Sequence, residues 1–311
     1  MGFIVALKTK EHEVYLNFPW KVGIVLFMAF PETAKGENLD SVIQYMASDT
    51  FFDLIEIPPY EESKFLELVN SAREAGLTVA LALQPEILGR QLDIASLDET
   101  QRRKAIDIIK ERIVLAHKAE LSTVAICTGK DPGINERKKA LDVLKNSLKE
   151  LCSFAMEYNI LILLEMFDRD YDKKLLLGPF EEAASVVKSV HEDYTNIKLL
   201  WDLSHAPMLN ETPDVLKKAP ELIGHIHIGC AKRVNNEFKD THPGFYVAGS
   251  VNGVEDVAKL LQVLHDIGYK GAVSFEVKPE EGQSSYEVVN SAKGVLMHAA
   301  SLAFKSILNL K

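Results

Sequence analysis

The chain has 311 residues, 47% hydrophobic and 26% charged, a composition expected of a soluble globular protein and not of a disordered or fibrous one. Asp and Glu number 45 against 35 Lys and Arg, a net charge of −10 with no basic block, which argues against nucleic acid as the main partner. The three cysteines, Cys127, Cys152 and Cys230, are odd in number and lack CxxC spacing. They suit a reducing cytoplasm. Phe3 to Leu7 is too short for a signal-peptide core and is followed at once by Lys8 and Lys10. No apolar stretch approaches the roughly 18 residues of a membrane span, so no membrane partner is expected.

Residues 1–20 do not fit the pattern that follows and are expected to form an N-terminal extension, a lid or hairpin at one end. From residue 21 to 311 a strand–helix alternation runs without a linker. Val22 to Met28 reads as a first strand and Leu39 to Met46 as the core of a first helix. Phe52 to Ile57 is a second strand, stopped by Pro58-Pro59. A helix from about Glu61 to Ala75 ends at Gly76, and Leu77 to Leu83 is strand three. Ser96-Leu97-Asp98-Glu99 has capping-box spacing and opens a long helix through Ala119. Strand four is Thr123 to Cys127, and helix four spans roughly Glu136 to Tyr158. Strand five ends at Glu165, strand six at Asp202, strand seven at His227 and strand eight at Glu276. A polar loop covers Lys232 to Asn252, and Ser284 to Leu308 closes the chain as a helix.

Eight short apolar runs alternating with eight helical segments predict an α/β fold, a single (β/α)8 TIM barrel. In such a barrel the C-terminal ends of the strands converge on one mouth, where the chemistry sits. Glu165, Asp202, His227 and Glu276 each close a separate strand, and together they make a hard oxygen-and-nitrogen site for one divalent cation. His225 and His227 are two apart and share a face of a regular strand. His227, nearer the end, is assigned to the metal and His225 to a structural hydrogen bond. Glu56 and Gln84 close strands two and three, where they reach either the mouth or a neighbouring loop.

The segments LILLEMF, LLWDLSH, IGHIHIGCAKR and VSFEVKP resemble the metal-site strands of the xylose isomerase-like TIM-barrel superfamily, the sugar and sugar phosphate isomerase/epimerase group that includes the tagatose and psicose 3-epimerases. The resemblance runs from about Val22 to Leu308 and is most specific over strands five to eight. It implies that Glu165, Asp202, His227 and Glu276 bind one ion, Mn²⁺ first, with Mg²⁺, Co²⁺ or Zn²⁺ as alternatives, although the metal histidine could fall on His225. It implies that His205 and Arg233 contact substrate; Glu56 and Gln84, by their positions at the ends of strands two and three, are further candidate contacts. The implied chemistry is proton abstraction beside a carbonyl through an enediolate, with Glu165 and Glu276 as the acid/base pair.

The segment DTHPGF, Asp240 to Phe245, resembles a different branch, the C-glycoside deglycosidase α subunits. That branch implies cleavage of a 3-keto sugar carbon-linked to an aromatic group, a lyase or dehydratase chemistry with His242 as base and a smaller partner subunit. Two activities therefore stay open, a metal-dependent sugar isomerase/epimerase and a deglycosidase-like lyase. A DNA repair endonuclease on this fold would need histidines on the early strands, where Glu56 and Gln84 stand. A barrel that only binds sugars is disfavoured by the complete ligand set. The expected partner is a small carbohydrate, and a homo-oligomer stays open.

Overall fold

The computed structural model describes residues 2–10 and 13–310. Two antiparallel strands, β1 (Ile4–Lys8) and β2 (Glu13–Asn17), come first and pair from Ile4 opposite Asn17 to Lys8 opposite Glu13. Eight parallel strands then close a barrel: β3 (Lys21–Val25), β4 (Leu54–Ile57), β5 (Thr78–Ala82), β6 (Thr123–Ile126), β7 (Leu161–Glu165), β8 (Ile197–Asp202), β9 (Ile223–Gly229) and, after a small hairpin, β12 (Ala272–Glu276). The chain is a single (β/α)8 TIM barrel. The hairpin is β10 (Lys232–Val234) with β11 (Glu237–Lys239), turned at Asn235 and Asn236, both in the left-handed region.

The intervening helices are α1 (Leu26–Ala29), α2 (Leu39–Ser48), α3 (Glu62–Glu74), α4 (Gln84–Gly89), α5 (Glu99–Lys118), α6 (Ile134–Glu157), α7 (Phe180–His191), α8 (Ala206–Leu209), α9 (Val254–Asp266) and α10 (Ser285–Ile307). Two local expectations are corrected. The first strand stops at Val25, and Leu26 onward coils into α1. The cap of α5 is Asp98, whose Oδ1 accepts from the amides of Thr100 and Gln101, while Ser96 holds the amide of Asp98. Thr212-Pro213 opens a 3₁₀ segment, Pro213–Lys218.

The strands are apolar on both faces, as a sheet wrapped by helices requires. Outward-facing side chains such as Ile24, Ile55, Leu164, Leu199 and Phe275 merge with the helices in one core. Inward-facing Ala125, Leu163 and Leu200 form a separate small cluster inside the barrel. Above it the inward positions turn polar, with Glu56, Glu165, Asp202, His225, His227 and Ser274 all buried.

A bulge sets the phase of β9. Leu199 of β8 pairs with Ile223, but Leu200 pairs with His225, so Gly224 is an extra residue. Because side chains alternate with period two, one extra residue exchanges the faces beyond it. Below the bulge Ile223 faces the helices; above it His225 and His227 face the barrel interior and Ile226 and Ile228 face out. Only glycine fits at the bulge, since a Cβ on Gly224 would lie 2.7 Å from side-chain carbons of Leu163 and Lys198.

The β1–β2 hairpin packs on α10 at the end where the strands begin, opposite the polar end. Phe3 stacks on Phe18 and Phe51 with ring centroids 4.6 and 4.7 Å apart, and Trp20 Nε1 donates to the carbonyl of Tyr269 at 3.0 Å. The extension is therefore a hairpin under the barrel and not a lid over its mouth. Among the described residues no helix is long and apolar enough to cross a membrane.

The small inner cluster has no slack to refill a void. Leu163→Ala is expected to destabilise the protein by about 2–5 kcal/mol. The shift of the denaturant unfolding midpoint measures it, and a loss below about 1 kcal/mol would show that the barrel interior collapses around the missing side chain.

Candidate metal centre at the barrel mouth

One donor atom each from Glu165, Asp202, His227 and Glu276 lies within 4.8 Å of the others at the C-terminal mouth. Glu165, His227 and Glu276 also line a cavity of about 680 Å³, a size suited to a small-molecule ligand. Its opposite wall is apolar, with Phe27, Met28 and Leu88.

The imidazole of His227 is held from behind. Its Nε2 donates to Glu56 Oε2 at 3.1 Å, which turns Nδ1 toward Glu276 Oε2 at 2.8 Å and Glu165 Oε1 at 3.8 Å. A carboxylate behind a histidine in this way fixes the tautomer and leaves the other nitrogen free for a metal. Glu56 Oε1 also bonds His225 Nε2 at 2.8 Å, and Ser274 Oγ lies 3.1 Å from the same nitrogen. Glu56 therefore lines the cavity, but its oxygens are committed to the two histidines. His225 has the structural hydrogen bonds that its depth predicts.

Gln84, the first residue of α4, donates through Nε2 to Glu165 Oε2 at 2.7 Å. Glu165 Oε1 is buried without a hydrogen-bond partner. Burial, reinforced by the charge of Glu276, raises the Glu165 carboxyl to about 8. A buried oxygen facing an imidazole and two further carboxylates fits a divalent cation, and the three-carboxylate, one-imidazole donor set is the chemistry such an ion takes.

A second group of side chains stands beside the first. His205 Nδ1 donates to the carbonyl of Met166 at 2.8 Å, and its Nε2 lies 3.5 Å from Asp202 Oδ2 and 3.3 Å from Asp240 Oδ1. His242 places Nε2 2.8 Å from Asp240 Oδ1 and 3.6 Å from Glu276 Oε1. Burial opposes the imidazolium of His242, but Glu276 and Asp240 outweigh it and raise the group to about 9. Lys173 reaches across from the loop after β7 to Asp240 Oδ2 at 2.9 Å. Asp168 shapes that loop by accepting the amides of Tyr171, Asp172 and Lys173.

His242 is in the left-handed region at φ 48°, an unusual conformation for a residue with a Cβ. Its carbonyl accepts from the amide of Lys278 at 2.6 Å, which ties the loop to the end of β12. Gly229 makes room for the ring, since a Cβ there would lie 2.4 Å from the carbonyl oxygen of Glu276 and 3.3 Å from His242 Nδ1.

Two expected substrate contacts stand elsewhere. His205 is buried behind Asp240 and is not on the cavity wall. Arg233 is exposed on the β10–β11 hairpin, with its guanidinium 4.8 Å over the Phe238 ring and away from the cavity, because the chain turns outward into the hairpin directly after Ala231. Asp240, Lys173, Asp168 and Gly229 were not anticipated. Only Asp240 had a local signal, its spacing of two from His242. Cys230, buried with its thiol pushed up to about 12 by burial, is a packed side chain.

The family described as xylose isomerase-like TIM barrel matches residues 43–293. The chain belongs to that family. Within the xylose isomerase-like family it is similar to a D-psicose 3-epimerase of Enterocloster bolteae, 26% identical over 226 residues, which are 69% of this chain and 66%, just under two thirds, of that relative. Solved D-psicose 3-epimerase from Clostridium cellulolyticum H10, with D-tagatose, superposes with a TM-score of 0.68 at 19% identity, covering 93% of this chain and 99% of that one. The IolI protein with a binding zinc atom gives 0.68 at 18% identity over 90% and 98%. The structural likenesses establish the fold.

Without metal, the native site keeps protons that the unfolded chain has lost. Glu165 holds one from its ordinary 4.5 up to about 8, and His242 from 6.5 up to about 9. A native state that binds more protons loses stability as pH rises through that interval. The melting temperature of chelator-stripped protein is therefore expected to fall from about pH 6 to about pH 9, less steeply in Glu165→Gln. A flat or rising profile would contradict the charge arrangement.

Proposed function

We propose that the chain is a divalent-metal-dependent sugar epimerase or isomerase that moves a proton beside a ketose carbonyl. The observation that carries this reading is the convergence of Glu165, Asp202, His227 and Glu276 around one point beside a cavity of about 680 Å³. The D-psicose 3-epimerase relative supports a ketose as substrate class.

The four residues would hold the ion, with Mn²⁺ preferred and Mg²⁺, Co²⁺ or Zn²⁺ as alternatives. When bound it supplies positive charge where negative charge collects on the substrate oxygens as the enediolate forms. Glu165 is the group to take the proton, because Gln84 restrains Oε2 and leaves Oε1 unbonded. The electron pair of the broken C–H bond becomes the C–C double bond, and the carbonyl oxygen takes the charge. Glu276, three strands round the barrel wall, returns a proton to the other face and restores the carbonyl with inverted configuration. Phe27, Met28 and Phe167 on the cavity wall keep bulk water from the enediolate.

Metal analysis of purified protein, followed by solvent-deuterium incorporation into a panel of ketoses, tests the reading. One equivalent of ion with deuterium entering beside the carbonyl is expected. Metal without exchange on any ketose would count against the ketose substrate, and absence of metal affinity against the site. Asp202→Ala is expected to lose the ion. Glu276→Gln is expected to keep its fold and lose turnover by about 10²–10⁴-fold, the usual worth of a general acid/base. Near-normal turnover would remove Glu276 from the role.

A further inference from the structure

We propose that Lys278 binds a phosphate group on the end of the substrate remote from the metal, so that the substrate is a phosphorylated ketose. This rests on the reading of the chain as a ketose epimerase or isomerase and names the class of ketose it takes.

Lys278 stands where the last barrel strand runs out into the cavity. It is two residues beyond Glu276, and Val277 between them is buried in the core outside the barrel. Alternation along an extended chain gives Glu276 and Lys278 the same face, and both line the cavity. The backbone is pinned here. The amide of Lys278 donates to the carbonyl of His242 at 2.6 Å, Lys278 bridges in parallel to Pro243, and Pro279 follows. The side chain therefore leaves a fixed Cα, about 6.7 Å further out along the strand than that of Glu276. A ketose lying with its carbonyl end at Glu276 and extending outward brings the substituent of its last carbon to the level of Lys278.

Positive charge on the cavity wall is scarce. The wall carries the acidic side chains of Glu56, Glu165, Asp240, Glu276, Glu280 and Glu281, against two lysines, Lys173 and Lys278, and no arginine among the described residues. Lys173 is committed. Its Nζ reaches Asp240 Oδ2 at 2.9 Å, the Asp240 carbonyl at 3.0 Å and Asp172 Oδ2 at 3.4 Å, which occupies its three hydrogens. Lys278 makes no side-chain hydrogen bond or ion pair among the described residues. Its acidic neighbours leave it free, since Glu280 is taken by Lys232 and Glu281 is turned to solvent without an ion pair among the described residues.

An anion entering this cavity is repelled along most of the wall and attracted at Lys278. A phosphate beside the reacting carbonyl would face Glu165 and Glu276; on the last carbon it meets the ammonium. Lysine acts on phosphate as a point charge, without the planar match that a carboxylate obtains from a guanidinium. The position agrees as well, because barrels of this architecture frequently seat phosphate on the loops after the seventh and eighth strands, and Lys278 follows the eighth. The opposite wall, with Phe27, Met28 and Leu88, offers sugar hydroxyls no side-chain hydrogen bonds. A charged anchor remote from the chemistry supplies the binding energy that those hydroxyls do not.

The test is isothermal titration of the full chain loaded with Mn²⁺, using D-fructose 6-phosphate and D-ribulose 5-phosphate, each against its unphosphorylated ketose. Solvent-deuterium exchange on the same compounds is the second readout. At least one phosphorylated ketose is expected to bind about 10–100-fold more tightly than its parent, the usual worth of a hydrogen bond to a charged group. Lys278→Met is expected to bring that ratio close to unity, and Lys278→Arg, which keeps the charge, to retain most of it. Damage to the fold would weaken both ligands of a pair and leave their ratio intact. D-Fructose 1-phosphate carries the same charge beside the carbonyl, and any gain it shows is expected to be insensitive to Lys278→Met. No gain in either pair, or a gain that survives Lys278→Met, overturns the phosphate site and leaves the ketose reading standing. An equal gain for D-fructuronate, with a carboxylate on the last carbon, overturns the assignment to phosphate. Absence of exchange on every ketose, beside a binding preference that Lys278→Met abolishes, supports the site and counts against the epimerase reading.

Discussion

Five carboxylates, those of Glu56, Glu165, Asp202, Asp240 and Glu276, meet at the mouth of a closed barrel, all almost wholly buried except Glu276, whose side chain is 14% exposed. Buried charge of one sign is tolerated only where each group is matched, and the surrounding structure can be understood as that matching. Glu56 is held by two imidazoles and Asp202 by the amide and hydroxyl of Ser204. Asp240 draws in Lys173, which requires the loop after β7 to fold around Asp168. Glu276 has His227. Glu165 has the least, one amide hydrogen from Gln84, and that deficit is what a cation at the mouth would fill.

The two ends of the barrel separate stability from chemistry. The end where the strands begin is sealed by aromatic stacking between the hairpin, the segment before β4 and α10, with Phe3, Phe18, Phe51 and Phe304 in contact. That packing is neutral and insensitive to pH. The other end holds the buried charges and the unusual backbone of His242. Strain and unmatched charge concentrate where ligands bind, and a well-packed base allows them to persist.

The strand ends were legible in the sequence because a buried parallel strand is a short apolar run, and four such runs closed by potential ligands converge on one mouth. Glu165, Asp202, His227 and Glu276 could be named in this way before any coordinates. The placement of His225 and His227 on one face followed from their spacing alone, although that they face inward depends on Gly224, which no periodicity reveals. Loop residues were less accessible. Arg233 and His205 stand at attractive distances in sequence from the metal strands, but a tight Asn-Asn turn carries one outward and packing sets the other behind the wall. Lys173 and Asp168 lie in an ordinary polar loop, and their importance arises only from what the fold places opposite them. The cap of α5 illustrates the smaller kind of error, since Asp98 and Ser96 both offer an oxygen at a suitable spacing and only backbone geometry chooses between them.

The bulge at Gly224 makes β9 a strand read in two frames. From His225 to Ile228 its histidines and isoleucines alternate, so the same four residues could present either an ionisable face or a greasy one to the interior, and the extra residue taken up at Gly224 decides which. The chemical identity of the mouth thus depends on the bulge being formed as much as on the residue types. A strand running regularly through Gly224 would exchange two imidazoles for two isoleucines in the interior without altering any other side chain, whereas a chain lacking Gly224 would keep the imidazoles in place. Such a chain, one residue shorter at this point, would present the same faces without a bulge.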